Sequence, residues 1–129
     1  MSKKFFAKII AKDIEGLKLI SAYCSESKLK INDIKYLKSN KIFLISLKRF
    51  KKETSKKDQK IRSICKFEFV DNVKSKNIDQ NNLDLVLKMI AINLFKKNNR
   101  FEINLIFSNK AYINLSTEII EVTLEDQTD

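Results

Sequence analysis

A chain of 129 residues, 43% of them apolar, has the length of one domain and enough apolar side chains to close a single core. It carries no histidine and a single glycine, which removes the usual general base, the usual zinc ligand and any glycine-rich phosphate loop. The formal charge of +10 raises nucleic acid as a partner, but 23 of the 26 basic residues are Lys, beside 18 Ile and 12 Asn, a combination that AT-rich coding sequence produces without selection.

Residues 5–11 read as a short strand, with Phe5, Ala7 and Ile9 on one parity and Phe6 and Ile10 on the other. Asp13 is a helix N-cap, and Ile14, Leu17, Ile20 or Ser21, and Cys24 recur at helical spacing to about residue 25. Gly16 inside that helix costs about 1 kcal/mol against Ala. Leu29 and Ile31 alternate, Asn32-Asp33 interrupts, and Ile34, Tyr36 and Leu37 resume, which predicts a bulged strand or a bent pair of short strands.

Residues 38–41 form a tight turn into a strand over 42–50. The charged stretch 51–60 has no apolar anchor and is the segment expected to move most. A strand over 61–73 follows, with Cys65, Phe67 and Phe69 on one face. Paired with 42–50 as a hairpin in which opposite positions sum to 111, it sets Leu44 against Phe67, Leu47 against Ile64 and Arg49 against Arg62.

A polar connection, 74–82, leads to a second hairpin. Its first limb, 83–95, is apolar on both parities (Val86, Ile90, Ile92 and Leu94 against Leu85, Leu87, Met89, Ala91 and Phe95), as for a central strand covered on both sides. After the polar tip 96–100, Phe101, Ile103, Leu105 and Phe107 point inward. Tyr112, Ile113 and Leu115 mark a short strand, and 117–126 reads as a strand through Ile120, Val122 and Leu124, with a helix as its alternative. The expected fold is α+β: one N-terminal helix packed on a strongly bent, mainly antiparallel sheet of about seven strands, curled toward a half-barrel, in one domain over 1–129.

Cys24 and Cys65 have no paired spacing and read as reduced core thiols, which points to the cytoplasm. Lys8 and Lys12 interrupt the N-terminal apolar run, so no export signal is expected, and Lys88 and Asn93 interrupt the best candidate membrane span. The carboxylate cluster of Glu118, Glu121, Glu125 and Asp126 reads as a solvated edge or tail, and no catalytic residue, cofactor or metal site is assigned.

The arginines are the sharpest signal. In a chain that writes nearly every cation as Lys, Arg49 and Arg62 mark places where the planar guanidinium fork matters. Side by side they would repel unless an anion bridges them, so they are the candidate anion or ligand-binding pair. An internal acid, Glu118 or Glu121, is the favoured partner and an external ligand the alternative. Lys66 beside Phe67 and Lys48 beside Arg49 leave only a trace of the aromatic-basic interleaving of nucleic-acid modules.

Read together, Tyr36-Leu37, Leu47-x-Arg49-Phe50, Val70-x-x-Val73, Ile78-Asp79, Leu87-x-x-Ile90-Ala91-Ile92, Phe107 and Glu118-x-Ile120-Glu121-x-x-Leu124-x-Asp126 resemble a small alphaproteobacterial family catalogued only as a domain of unknown function. That family carries an aromatic where this chain has Lys51-Lys52, and glycines where it has Ser108-Asn109 and Gln127. The resemblance implies a bacterial, cytoplasmic, single-domain protein of unassigned role. The reading is a non-enzymatic binding or adaptor domain for an unknown protein partner or for a second copy of itself. The alternative is a nucleic-acid-associated protein acting through a lysine-rich face, which requires its basic residues to cluster on one side.

Overall fold

The computed structural model describes residues 7–51 and 60–127. Residues 52–59, most of the stretch expected to move, lie outside the described residues, as do Phe5, Phe6, Thr128 and Asp129.

β1 (Lys8–Ala11) runs directly into α1 (Ile14–Cys24). Asp13 caps the helix from an extended conformation, its Oδ1 accepting from the Gly16 N–H at 2.8 Å. The glycine has a packing reason: a Cβ at position 16 would sit 3.0 Å from both Cα and Cβ of Ala11, where the helix crosses β1. Leu17, Ile20 and Cys24 are the buried face of α1. Past the Ser25 cap, Glu26 takes the left-handed conformation (φ 69°) and turns the chain back.

β2 (Lys28–Lys30) and β3 (Ile34–Leu37) are the expected bent pair, separated by one 3-10 turn, Ile31–Asp33, whose Asp33 carboxylate accepts from the Lys30 N–H at 2.9 Å. The remaining strands are β4 (Ile42–Phe50), β5 (Lys60–Phe67), β6 (Val70–Lys76), β7 (Val86–Lys97), β8 (Arg100–Phe107), β9 (Tyr112–Thr117) and β10 (Val122–Asp126). They lie in the order β1-β10-β5-β4-β2-β7-β8-β9-β6, with β3 also against β4, and every neighbouring pair is antiparallel. One α-helix on a large antiparallel sheet is the α+β class expected, but among the described residues the sheet has ten strands rather than about seven and does not close. None of the described helices is long and apolar enough to cross a membrane.

Three differences from the sequence reading decide which side chains meet. The strand expected over 61–73 breaks at Glu68-Phe69, where Phe69 has φ 60° and is exposed, so β5 and β6 part to distant places in the sheet. The β4–β5 register is one residue from the expected one: Phe43 opposes Phe67, Ile45 opposes Cys65 and Leu47 opposes Ser63. A slip of one residue moves every side chain to the other face. Arg49 therefore opposes Ile61, and Arg62 opposes Lys48.

The third difference is in β7, which is not covered on both faces: Val86 and Ile90 are each 52% exposed. Its two apolar parities arise from a bulge between Met89 and Ala91. Leu87 and Met89 face the core before it and Ile92 after it, so the inward parity changes along the strand. Beside the bulge the Ile92 N–H donates to Ser21 Oγ at 2.9 Å, tying β7 to the helix. The segment 117–126 holds no helix; β9 ends at Thr117 and β10 begins at Val122. The buried apolar side chains form one core between α1 and the sheet's inner face.

Candidate binding site on the outer sheet face

The structure separates the two arginines that the sequence set together. Arg49 is fully buried and inward; Arg62 is exposed and outward.

Arg49 ends the inward stripe Phe43, Ile45, Leu47 of β4, as Asp126 ends the stripe Val122, Leu124 of β10. β5 lies between the two strands and places Ser63 against both Leu47 and Asp126. The guanidinium grips the carboxylate with two bonds, Nε to Oδ1 at 3.0 Å and Nη2 to Oδ2 at 2.8 Å. Ser63 Oγ donates to Oδ1 at 2.6 Å, and the Ala7 N–H to Oδ2 at 2.7 Å. Nη1 donates to the Phe50 carbonyl at 3.2 Å, and the Tyr23 ring lies 5.1 Å from the guanidinium carbon. Burial pushes the Asp126 carboxyl up, but the bonds from Arg49, Ser63 and the Ala7 N–H outweigh it and hold the group below the usual carboxylate range.

The partner of Arg49 is thus internal, as favoured, but it is neither Glu118 nor Glu121. Glu118 bonds Arg100 (Nη1 to Oε1, 3.1 Å), and Glu121 reaches Lys12 at 3.8 Å. Glu118 is exposed and Glu121 only partly buried, both outside the core that holds Arg49. The scarcity of arginine applies equally to Arg100, the third of the chain's arginines. Arg100 also pairs with Asp71, which Lys41 holds as well at 3.0 Å, pinning the β8 and β6 ends to the start of β4. Bonds from Arg100 and then Lys41 hold the Asp71 carboxyl below its ordinary range.

Cys24 and Cys65 are buried free thiols. Burial, then the hydrogen bond with Cys24, pushes the Cys65 thiol well above its ordinary value, which suits core filler and not a nucleophile. Among the described residues no group of three His, Cys, Asp or Glu side chains is placed to hold a metal ion.

Arg62 belongs to a different constellation. On the outer face it opposes Lys48, Lys48 opposes Lys28, and Lys28 opposes Lys88. Four cations therefore stand in one cross-strand row over β5, β4, β2 and β7, a span of roughly 14 Å. All four are exposed, and among the described residues none is ion-paired. Like charges directly opposite in a sheet destabilise it, so the row costs the fold something. Lys30 extends it on β2, and Lys66 and Lys35 flank Leu44 on the same face. Lys60 sits at its other margin, 5.2 Å from the centre of the Phe50 ring. A shallow groove lined by Lys28, Lys30, Ser46, Lys48 and Arg62 follows the row; Asp33, bound to the Lys30 N–H, and Asp84 line it too.

Comparisons with curated proteins and with solved structures find no match for this chain. A family does match: residues 7–129 fit the family described as Protein of unknown function (DUF2948), which covers nearly the whole chain, including both buried partners Arg49 and Asp126 and the entire basic row. The chain belongs to that family.

Proposed function

We propose that the chain is a non-enzymatic binding domain whose ligand is the phosphate backbone of single-stranded nucleic acid, laid across the outer sheet face. The observation that carries this reading is the row Arg62, Lys48, Lys28, Lys88, held in register by three strand pairings and, among the described residues, engaged in no ion pair. A sheet face presents no helix or ribbon to enter a duplex groove, so an open strand is the matching shape. The aromatics that could stack bases, Phe43 and Phe67, are buried, and Phe50 alone lies at the row's margin, so contact is to phosphate and tolerant of sequence. Four of the groups with displaced pKa values, Asp126, Asp71, Arg100 and Lys41, are engaged in ion pairs within the fold, while Glu68 is raised by its hydrogen bond with Glu121 and Cys65 by burial.

Fluorescence polarisation with a labelled 20-nucleotide oligo(dT) tests the reading. The double variant K28E/K48E should lose about tenfold or more in affinity, while K96E/K97E at the β7–β8 turn, with the same change in net charge, should lose far less. Equal losses would mean that net charge alone attracts the oligonucleotide and would sink the site. Tighter binding of duplex than of single strand would also count against it.

A further inference from the structure

A second site lies between two strand edges. β3 pairs only with β4, and β6 only with β9, among the described residues, so each leaves one edge without a ladder partner. Although β6 is last in the sheet order, the sheet bends far enough for Val73 and Ser75 of β6 to line one cleft with Ile34 and Tyr36 of β3, a space of about 520 Å³ floored by Phe43 and Ile113. Both ends of the gap are clamped. At one end Tyr36 Oη donates to the Val70 carbonyl and the Val70 N–H to the Lys41 carbonyl, each at 2.8 Å; at the other the Ile31 and Asn32 N–H groups donate to the Leu85 and Leu83 carbonyls, each at 3.1 Å. Between the clamps no ladder joins the two edges among the described residues, and Ile78, Gln80 and Leu83 of the connection to β7 also line the space.

We propose that this opening takes an extended peptide segment of a partner protein, alternating apolar and acidic residues, inserted as a strand between β3 and β6. Direction follows from the pairings. Following the antiparallel neighbours from β3 through β4, β2, β7, β8 and β9 makes β3 and β6 run the same way, so one inserted strand is antiparallel to both. It would complete a circuit of strands that the fold leaves unclosed, and unpaired edges of this kind are where proteins recruit strands.

The side chains of the guest are set by what faces it. Its inward residues meet Ile34, Tyr36 and Val73, which are partly buried and packed on the core. Its outward residues pass the opposite parity of the two edges, which is Lys35 on β3 and Lys74 and Lys76 on β6, all exposed. Apolar inward and acidic outward is the complementary pattern.

The probe is a fluorescein-labelled peptide of sequence Glu-Val-Glu-Ile-Glu-Val-Glu with blocked ends. It should bind the full chain, protect the amides of Ile34–Leu37 and Val70–Lys76 from hydrogen exchange, and lose about tenfold in affinity against K35E/K74E, whose fold is checked by circular dichroism. A version N-methylated at alternate residues, which removes donors without changing charge, should bind at least tenfold more weakly. Three outcomes would overturn the proposal: equal binding of a peptide with Lys in place of Glu, binding without protection of the two edges, or saturation of the cleft by sodium decanoate while the peptide fails to bind. The last would assign the cleft to a small amphiphile.

Discussion

At the scale of single residues, the molecule is defined by one buried ion pair. Removing only one partner of Arg49–Asp126 takes the ion pair away and leaves a buried charge, so Arg49→Ala or Asp126→Ala should destabilise by about 3–5 kcal/mol in urea denaturation. The double variant Arg49→Met/Asp126→Leu, which removes both charges and keeps volume, should recover most of that loss. If the two single losses simply add in the double variant, the pair is not a coupled unit. Acid reads the same bond. With its folded pKa depressed, Asp126 contributes stability that is fully present above the ordinary carboxylate range and is lost as pH falls through the depressed value. Asp71 acts with the same sign. Asp126→Asn should flatten the acid limb of the stability profile, and an unchanged limb would remove Asp126 as its source. The two charges of this pair were legible in the sequence. Arg49 stands on the parity of Phe43, Ile45 and Leu47, and Asp126 on that of Val122 and Leu124, so each charge continues an apolar stripe. Charge alone points to Glu118 and Glu121 as the partners; parity points to Asp126, the acid that continues an apolar stripe.

At the scale of elements, short local signals carried far. Asp13 announced α1, and Asn32-Asp33 announced the bend between β2 and β3. Turns that demand positive φ were less visible because this chain fills them with residues other than glycine. Asn98 and Asn99 (φ 50° and 62°) form the two-residue β7–β8 connection, and Asn109 and Lys110 (φ 61° and 60°) the centre of the 108–111 turn between β8 and β9, positions of the kind that favour Asn and Gly. Asn takes the left-handed region at lower cost than Lys. Lys110→Gly should therefore raise stability by about 0.5–1 kcal/mol, seen as a higher Tm, whereas glycine at Tyr112, two residues on within β9, should lower it. A lower Tm for Lys110→Gly would show that the turn is not strained. The break at Phe69 was hidden for a related reason: Phe-Glu-Phe-Val has the composition of a strand, and nothing local marks the positive φ that ends β5.

At the scale of the whole molecule, charge was legible and its arrangement was not. The excess of lysine reads as an even coat until the register is known, because a slip of one residue exchanges Arg49 and Arg62 between core and surface. Helix and core occupy the inner face of the sheet, and the outer face around β5, β4, β2 and β7 bears the basic row. The class of the fold followed from strand periodicity, while the circuit from β4 through β2 to β7 followed only from long-range pairings that no local pattern encodes. The most direct test of the basic row is the salt dependence of oligo(dT) affinity. If the row's four cations each displace a counterion from a single strand, log K against log salt should fall with a slope of about −3, and K28Q/K48Q should roughly halve that slope. A slope unchanged by K28Q/K48Q would contradict the account.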